Sequence, residues 1–129
     1  MKQITLMEKY PLFILELNKN ETNYKNVDEI IAYFKEKIEA HPVATYIATF
    51  DHYAHTKSLA DGQINPEIQA AKNIVFCFGK ELPKPEVMGV RPRSIGVADL
   101  GEKFVISFLE APNPTANAAM EEWAKGLRA

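Results

Sequence analysis

The chain has one cysteine, Cys77, among 129 residues, so no internal disulfide framework holds it together. No apolar run approaches the roughly 20 residues that a bilayer-spanning helix needs. The stretch Met1 to Lys9 has no apolar core of signal-peptide length and meets charge at Lys2, Glu8 and Lys9, unlike a secretory leader. The expectation is a soluble cytoplasmic protein without a membrane partner, in a reducing compartment suited to a free thiol. An excess of charge of one sign is also missing. Fifteen Lys and Arg face 17 Asp and Glu, for a net charge of −2, which argues against nucleic acid as a partner. Phosphate-cradling loops of the form G-x-G-x-x-G or G-x-x-x-x-G-K-[ST] do not occur. Nor do G-x-S-x-G, C-x-x-C or H-E-x-x-H. With no complete catalytic set, a non-enzymatic role without a cofactor is the expectation.

What is present is ordinary globular composition. The chain is 47% hydrophobic and 25% charged, enough apolar matter for a core. The length suits one domain, residues 1–129.

Leu12 to Leu17, preceded by Pro11, is an apolar run that reads as a buried strand. Ile4 to Met7 either extends the sheet or covers an edge. Asn26 and Glu29 then mark a helix start, one as cap and the other reaching back to it. Val27, Ile30, Ile31, Phe34 and Ile38 follow at helical spacing as one apolar stripe. His41-Pro42 closes the helix, because a residue before proline is pushed out of the helical region. From Val43 to His52 the period changes to two, with Val43, Thr45, Ile47 and Thr49 on one face and Ala44, Tyr46, Ala48 and Phe50 on the other. Tyr53 to Lys72 has no clear period and reads as a long connection, with a single helical turn over Pro66 to Ala71.

Asn73 to Phe78 is the most apolar run and reads as a central strand, with Cys77 facing away from Phe76 and Phe78. A loop carrying Pro83, Pro85, Gly89 and Pro92 leads to a strand over Ser94 to Ala98. Asp99-Leu100-Gly101-Glu102 makes a hairpin turn into a strand over Lys103 to Leu109. Asn113 caps a last helix with Pro114 at its first position, with Ala116, Ala119, Met120, Trp123, Ala124 and Leu127 on one face. The order is strand, helix, four strands, helix. Short connections make this an α+β fold, with a mainly antiparallel sheet and helices on one face. Five strands leave sheet edges to be paired or covered, so a homodimer is expected.

Three strings resemble the domain of unknown function 302 family. The capped helix leads into a strand ending in Asp51-His52; Phe76-Cys77-Phe78-Gly79 is similar to that family's apolar strand ending in Phe-Gly; and Phe104 to Leu109 with Ala111-Pro112 looks like its last strand and exit. After Gly79, where that family has Asn-Pro, this chain reads Lys80-Glu81-Leu82-Pro83. The resemblance implies a sheet like one half of a TATA-binding protein, commonly paired into dimers. It implies no activity.

The sharpest constellation is Asp51-His52-Tyr53-Ala54-His55, where a strand runs into the longest irregular connection. Histidine carries protons near neutral pH and ligates metals, and Asp51 could orient His52. Lys80, Lys84, Arg91 and Arg93 gather on the proline-rich loop and suit an anion. The leading expectation is a dimeric small-ligand-binding domain in which Asp51, His52 and His55, with Arg91 or Arg93, edge one pocket for a small anion. Binding there would weaken as pH rises through the histidine range. That pocket requires the Val43–His52 and Asn73–Phe78 strands to run parallel; an antiparallel pair would carry His52 away from the basic loop. The competing expectation is a metal- or haem-binding protein or an enzyme using Asp51, His52 and His55, with Met88 as an alternative haem ligand or Cys77 as a nucleophile beside His52.

Overall fold

The computed structural model describes residues 1–129. The chain forms strands β1 (Lys2–Leu6) and β2 (Tyr10–Asn18), helix α1 (Val27–Ala40), strand β3 (Thr45–Asp51), helix α2 (His52–Ser58), strands β4 (Ala70–Cys77), β5 (Arg93–Asp99) and β6 (Lys103–Leu109), and helix α3 (Pro114–Lys125). No helix is long and apolar enough to cross a membrane.

Local chemistry accounts for the two long helices. At α1 the Glu29 amide donates to the Asn26 side chain at 2.8 Å, and the Lys25 amide donates to the Glu29 carboxylate at 3.0 Å. The first satisfies an amide that the first turn leaves free, and the second ties the residue before the cap back to that turn. The helix stops at Ala40 and His41 is extended, as Pro42 requires. At α3 Asn113 accepts from the Thr115 amide at 2.9 Å, and Pro114 occupies the first position. Asn117 clasps Ala111 through both amide and carbonyl, at 2.7 and 2.8 Å, which fixes the entry from β6.

One sheet of six strands, in the order β1-β2-β6-β5-β4-β3, is antiparallel throughout. Its strands alternate buried and half-exposed residues, most cleanly along β5 and β6. Phe13, Leu15, Ile74, Phe76, Ile95 and Ile106 belong to the buried face. There α1 packs over β3, β4 and β5 while α3 contacts β2, burying Ile30, Phe34, Ile38, Met120 and Trp123 in one core. This is the α+β sheet with helices on one face that the patterning implies.

Several details depart from the sequence reading. The sheet has six strands because Lys2–Leu6 pairs with β2. The connecting turn passes through Met7 and Glu8, both with positive φ. Such turns usually announce themselves by Asn-Gly or Asp-Gly, and neither is present here. In β3 a bulge lies between Tyr46 and Ala48, so the face changes there. Tyr46 is opposite buried Phe76, on the side of α1, whereas Ala48 and Phe50 lie on the other side, opposite Val75 and Asn73. His52–Ser58 is helical rather than irregular, because Asp51 caps it. Pro66–Ala71 is not a helical turn: Ala70 already pairs with Asp99, and the Gln69 amide donates to the Asp99 carbonyl at 2.8 Å.

Candidate functional site

The direction of β4 decides which predicted site residues can meet. Because β3 and β4 are antiparallel, Asp51 lies opposite Lys72 at the start of β4, while Phe76, four residues on, lies opposite Arg93. Four strand residues span about 13 Å, and β5 is two strands from β3, adding about 10 Å across the sheet. Asp51, His52 and His55 therefore stand at one end of this half of the sheet, and Arg91 and Arg93 at the other.

At the first end, the Ala54 amide donates to the Asp51 carboxylate at 2.9 Å. Lys72 lies 3.9 Å from the second Asp51 oxygen and 2.6 Å from Asp28. The hydrogen bond to Asp28, and secondarily its charge and that of Asp51, hold the Lys72 ammonium above its ordinary range against some desolvation. His52 and His55 are exposed and tilt against Phe50 at 5.4 and 5.5 Å between ring centres. His52 Nδ1 is 3.4 Å from Asn73 Oδ1, so Asn73, not Asp51, is its polar neighbour. Asp51 is occupied as a helix cap. No three His, Cys, Asp or Glu side chains gather as a metal centre requires. Cys77 pairs with Thr45 at the far end of β3, which removes the Cys77–His52 nucleophile arrangement.

The second end has a different character. Arg93 opens β5 on the same face as Ile95 and Val97, which buries it; only 7% of its surface is exposed. Its Nη1 donates to the Val90 carbonyl at 3.3 Å and its Nη2 to the Leu109 carbonyl. Its Nε is buried without a partner. Neither Arg93 nor Arg91 takes part in an ion pair. The buried carboxylate of β5, Asp99, lies at the opposite end of the strand and pairs with Lys19 at 3.0 Å. Desolvation pulls the Arg93 guanidinium below its ordinary value, though such a group stays charged at physiological pH.

Arg93 lines a cavity of about 90 Å³ together with Arg91, Asn113, Ala116, Phe78 and Val90. Arg91 reaches it from the proline-rich loop, donating from Nη1 to the Glu81 carbonyl at 2.6 Å. Gly79 makes room for that side chain. A Cβ there would lie 2.7 Å from Arg91 Nη1 and 3.1 Å from Cys77 Sγ. The first turn of α3 forms another wall. Pro114 has no amide hydrogen and the Thr115 amide is taken by Asn113, which leaves the amide of Ala116, a buried residue lining the cavity. A helix N-terminus carries partial positive charge. Two guanidinium groups, this helix end and apolar walls thus face one small space.

Sequence reading named Arg91 and Arg93 but missed Gly79, Phe78, Asn113 and Ala116 as their surroundings. One signal was there to be read: Arg93 is in phase with Ile95 and Val97, a charge on the buried side of an alternating strand.

No curated protein and no solved structure matches the chain. The strings that resemble the domain of unknown function 302 do not place it in that family, because a buried strand ending in glycine and a proline exit before a helix recur wherever such elements end. With it goes the support that the resemblance lent to a TATA-binding-like sheet and to pairing into dimers. The family model that fits extends over residues 1–129, and the chain belongs to the Family of unknown function (DUF6858).

Proposed function

We propose that this protein is a small-ligand-binding domain whose ligand is a small organic anion, held at Arg93 and Arg91 beside the N-terminus of α3. The observation that carries this reading is the buried Arg93 with its unpartnered Nε and no carboxylate beside it. Burying an uncompensated guanidinium costs several kcal/mol, and an anion in the adjoining cavity offsets that cost. Arginine suits carboxylates and phosphates through its planar fork of donors. The apolar neighbours Phe78, Val87, Val90 and Ala111 favour a ligand with a short apolar tail over a bare inorganic ion. The cavity volume of about 90 Å³ limits it to a few non-hydrogen atoms.

With the site at this end, the pH dependence through His52 and His55 drops out, since those rings lie at the other end of β3. Acetate, butyrate, inorganic phosphate and methylammonium test the reading by calorimetry and thermal shift at low ionic strength. Butyrate is expected to bind saturably and to raise the melting temperature; at a hundredfold excess over Kd, linkage supplies about 2.7 kcal/mol. Arg93→Met, or Arg91→Met should the first not fold, is expected to lose this response, and His52→Ala to keep it. Equal responses to butyrate and methylammonium, or no response to any anion, would overturn the reading.

A further inference from the structure

Helices α1 and α3 bury one face of the sheet; on the other, α2 packs against β4, with His52 and His55 resting on Phe50 and His52 beside Asn73, and leaves β1, β2, β6 and β5 uncovered. Strand register maps that face. Ile14, Ser107, Gly96, Asn73 and Phe50 lie in one row across five strands. Glu16, Val105, Ala98 and Ala71 form the next row. The relief is uneven. Branched Ile4, Leu12 and Ile14 stand up along β1 and β2, and Phe50 stands up on β3. Between the β1–β2 ridge and Asn73 of β4, Ser107, Gly96 and Ala98 form a shallow trough along β6 and β5. Charge is confined to the margin, where Glu16 pairs with Lys2 at 3.7 Å and with Lys103 at 3.1 Å.

From this relief we infer that the uncovered sheet face is the interface of a homodimer, with the Leu12–Ile14 ridge of one copy seated in the Gly96 trough of the other. A two-fold interface must be complementary to itself, and a ridge beside a trough meets that condition. The open part suffices for a reversible pair. Four strands at about 4.8 Å spacing and about seven residues at 3.3 Å give a projected face of about 19 by 23 Å. That is about 440 Å² before side-chain relief is added, the scale of a concentration-dependent interface rather than a permanent one. A centre without charge and a charged rim is the usual anatomy of such an interface. Face-to-face sheets pack about 10 Å apart, a distance that side chains of this size fill.

Gly96 supplies a selective test. Its φ lies outside the left-handed region, and a Cβ there would meet nothing in its own chain closer than the Asn73 side chain at 3.4 Å. Gly96→Leu therefore has room for its Cβ in the monomer and extends into the trough. Sedimentation equilibrium from 1 to 200 µM is expected to show a dimer for the wild type, with a melting temperature that rises with concentration. Gly96→Leu and Ile14→Lys are each expected to shift the equilibrium toward monomer by at least tenfold, with the far-ultraviolet dichroism of the wild type. A wild type that stays monomeric at 200 µM overturns the proposal. So does dimerisation of both variants as strong as the wild type's, which would point to pairing through a sheet edge. Should one variant not fold, the other decides alone, and the wild-type dependence on concentration stands independently of both.

Discussion

Replacing Phe34 by Ala probes the helix–sheet core directly. Phe34 projects from the inner face of α1, has no exposed surface and lies edge-on to Tyr33 at 5.4 Å between ring centres. Removing its ring forfeits about 2–3 kcal/mol of transfer free energy, and an incompletely collapsed cavity adds the rest of an expected loss of about 3–5 kcal/mol. For 129 residues, the entropy of unfolding is about 0.27 kcal/mol/K, which converts the loss to a drop in Tm of about 11–18 °C. Trp123, the chain's one tryptophan, is 8% exposed in the same core and reports unfolding by its emission. Urea titration should lower the midpoint at unchanged slope. Phe50→Ala provides the contrast. That ring is 42% exposed on the side away from α1, so at concentrations below self-association its loss is expected to cost under about 1 kcal/mol. A loss below about 1 kcal/mol for Phe34→Ala, or one for Phe50→Ala that equals it, would refute the assignment of the two faces.

Gly79→Ala is expected to push the Arg91 guanidinium off the Glu81 carbonyl, since its new Cβ would stand 2.7 Å from Nη1; calorimetry should show butyrate affinity reduced several-fold, and an unchanged affinity would separate Arg91 from the site. Alkaline stability should fall through Tyr33, whose hydroxyl donates to the Trp123 carbonyl at 2.7 Å and whose phenol is pushed up chiefly by burial, with smaller charge effects from Tyr24 and Glu122. Because its folded pKa exceeds the unfolded value near 10, its contribution is complete below about pH 10 and is lost as pH rises through the folded value. Lys72, raised chiefly by Asp28, acts in the same sense. Melting curves between pH 8 and 11 should therefore fall less steeply for Tyr33→Phe than for the wild type, and parallel curves would count against this assignment.

Much of the fold is legible in local patterns. Asn26, the Val27–Ile38 stripe and Pro42 bound α1 with no help from the rest of the chain, and Asn113-Pro114 does the same for α3. Alternation identifies the inward residues of β2, β4, β5 and β6. The β1 strand and helix α2 are weaker cases, because Met7-Glu8 lacks turn chemistry and Asp51 reads equally well as a strand end or a cap. The candidate site belongs to the tertiary structure. Periodicity states which residues of one strand share a face, but not which strand lies alongside or in which direction. The antiparallel pairing of β3 with β4 parts His52 from Arg93. The bulge beside Ile47 puts Tyr46 and Phe50 on opposite sides, and pairing of β5 between β4 and β6 carries Arg93 to the α3 N-terminus without a carboxylate. These outcomes depend on residues far apart in the chain, whose contacts are set by the packing of whole elements and leave no mark in any local window of sequence.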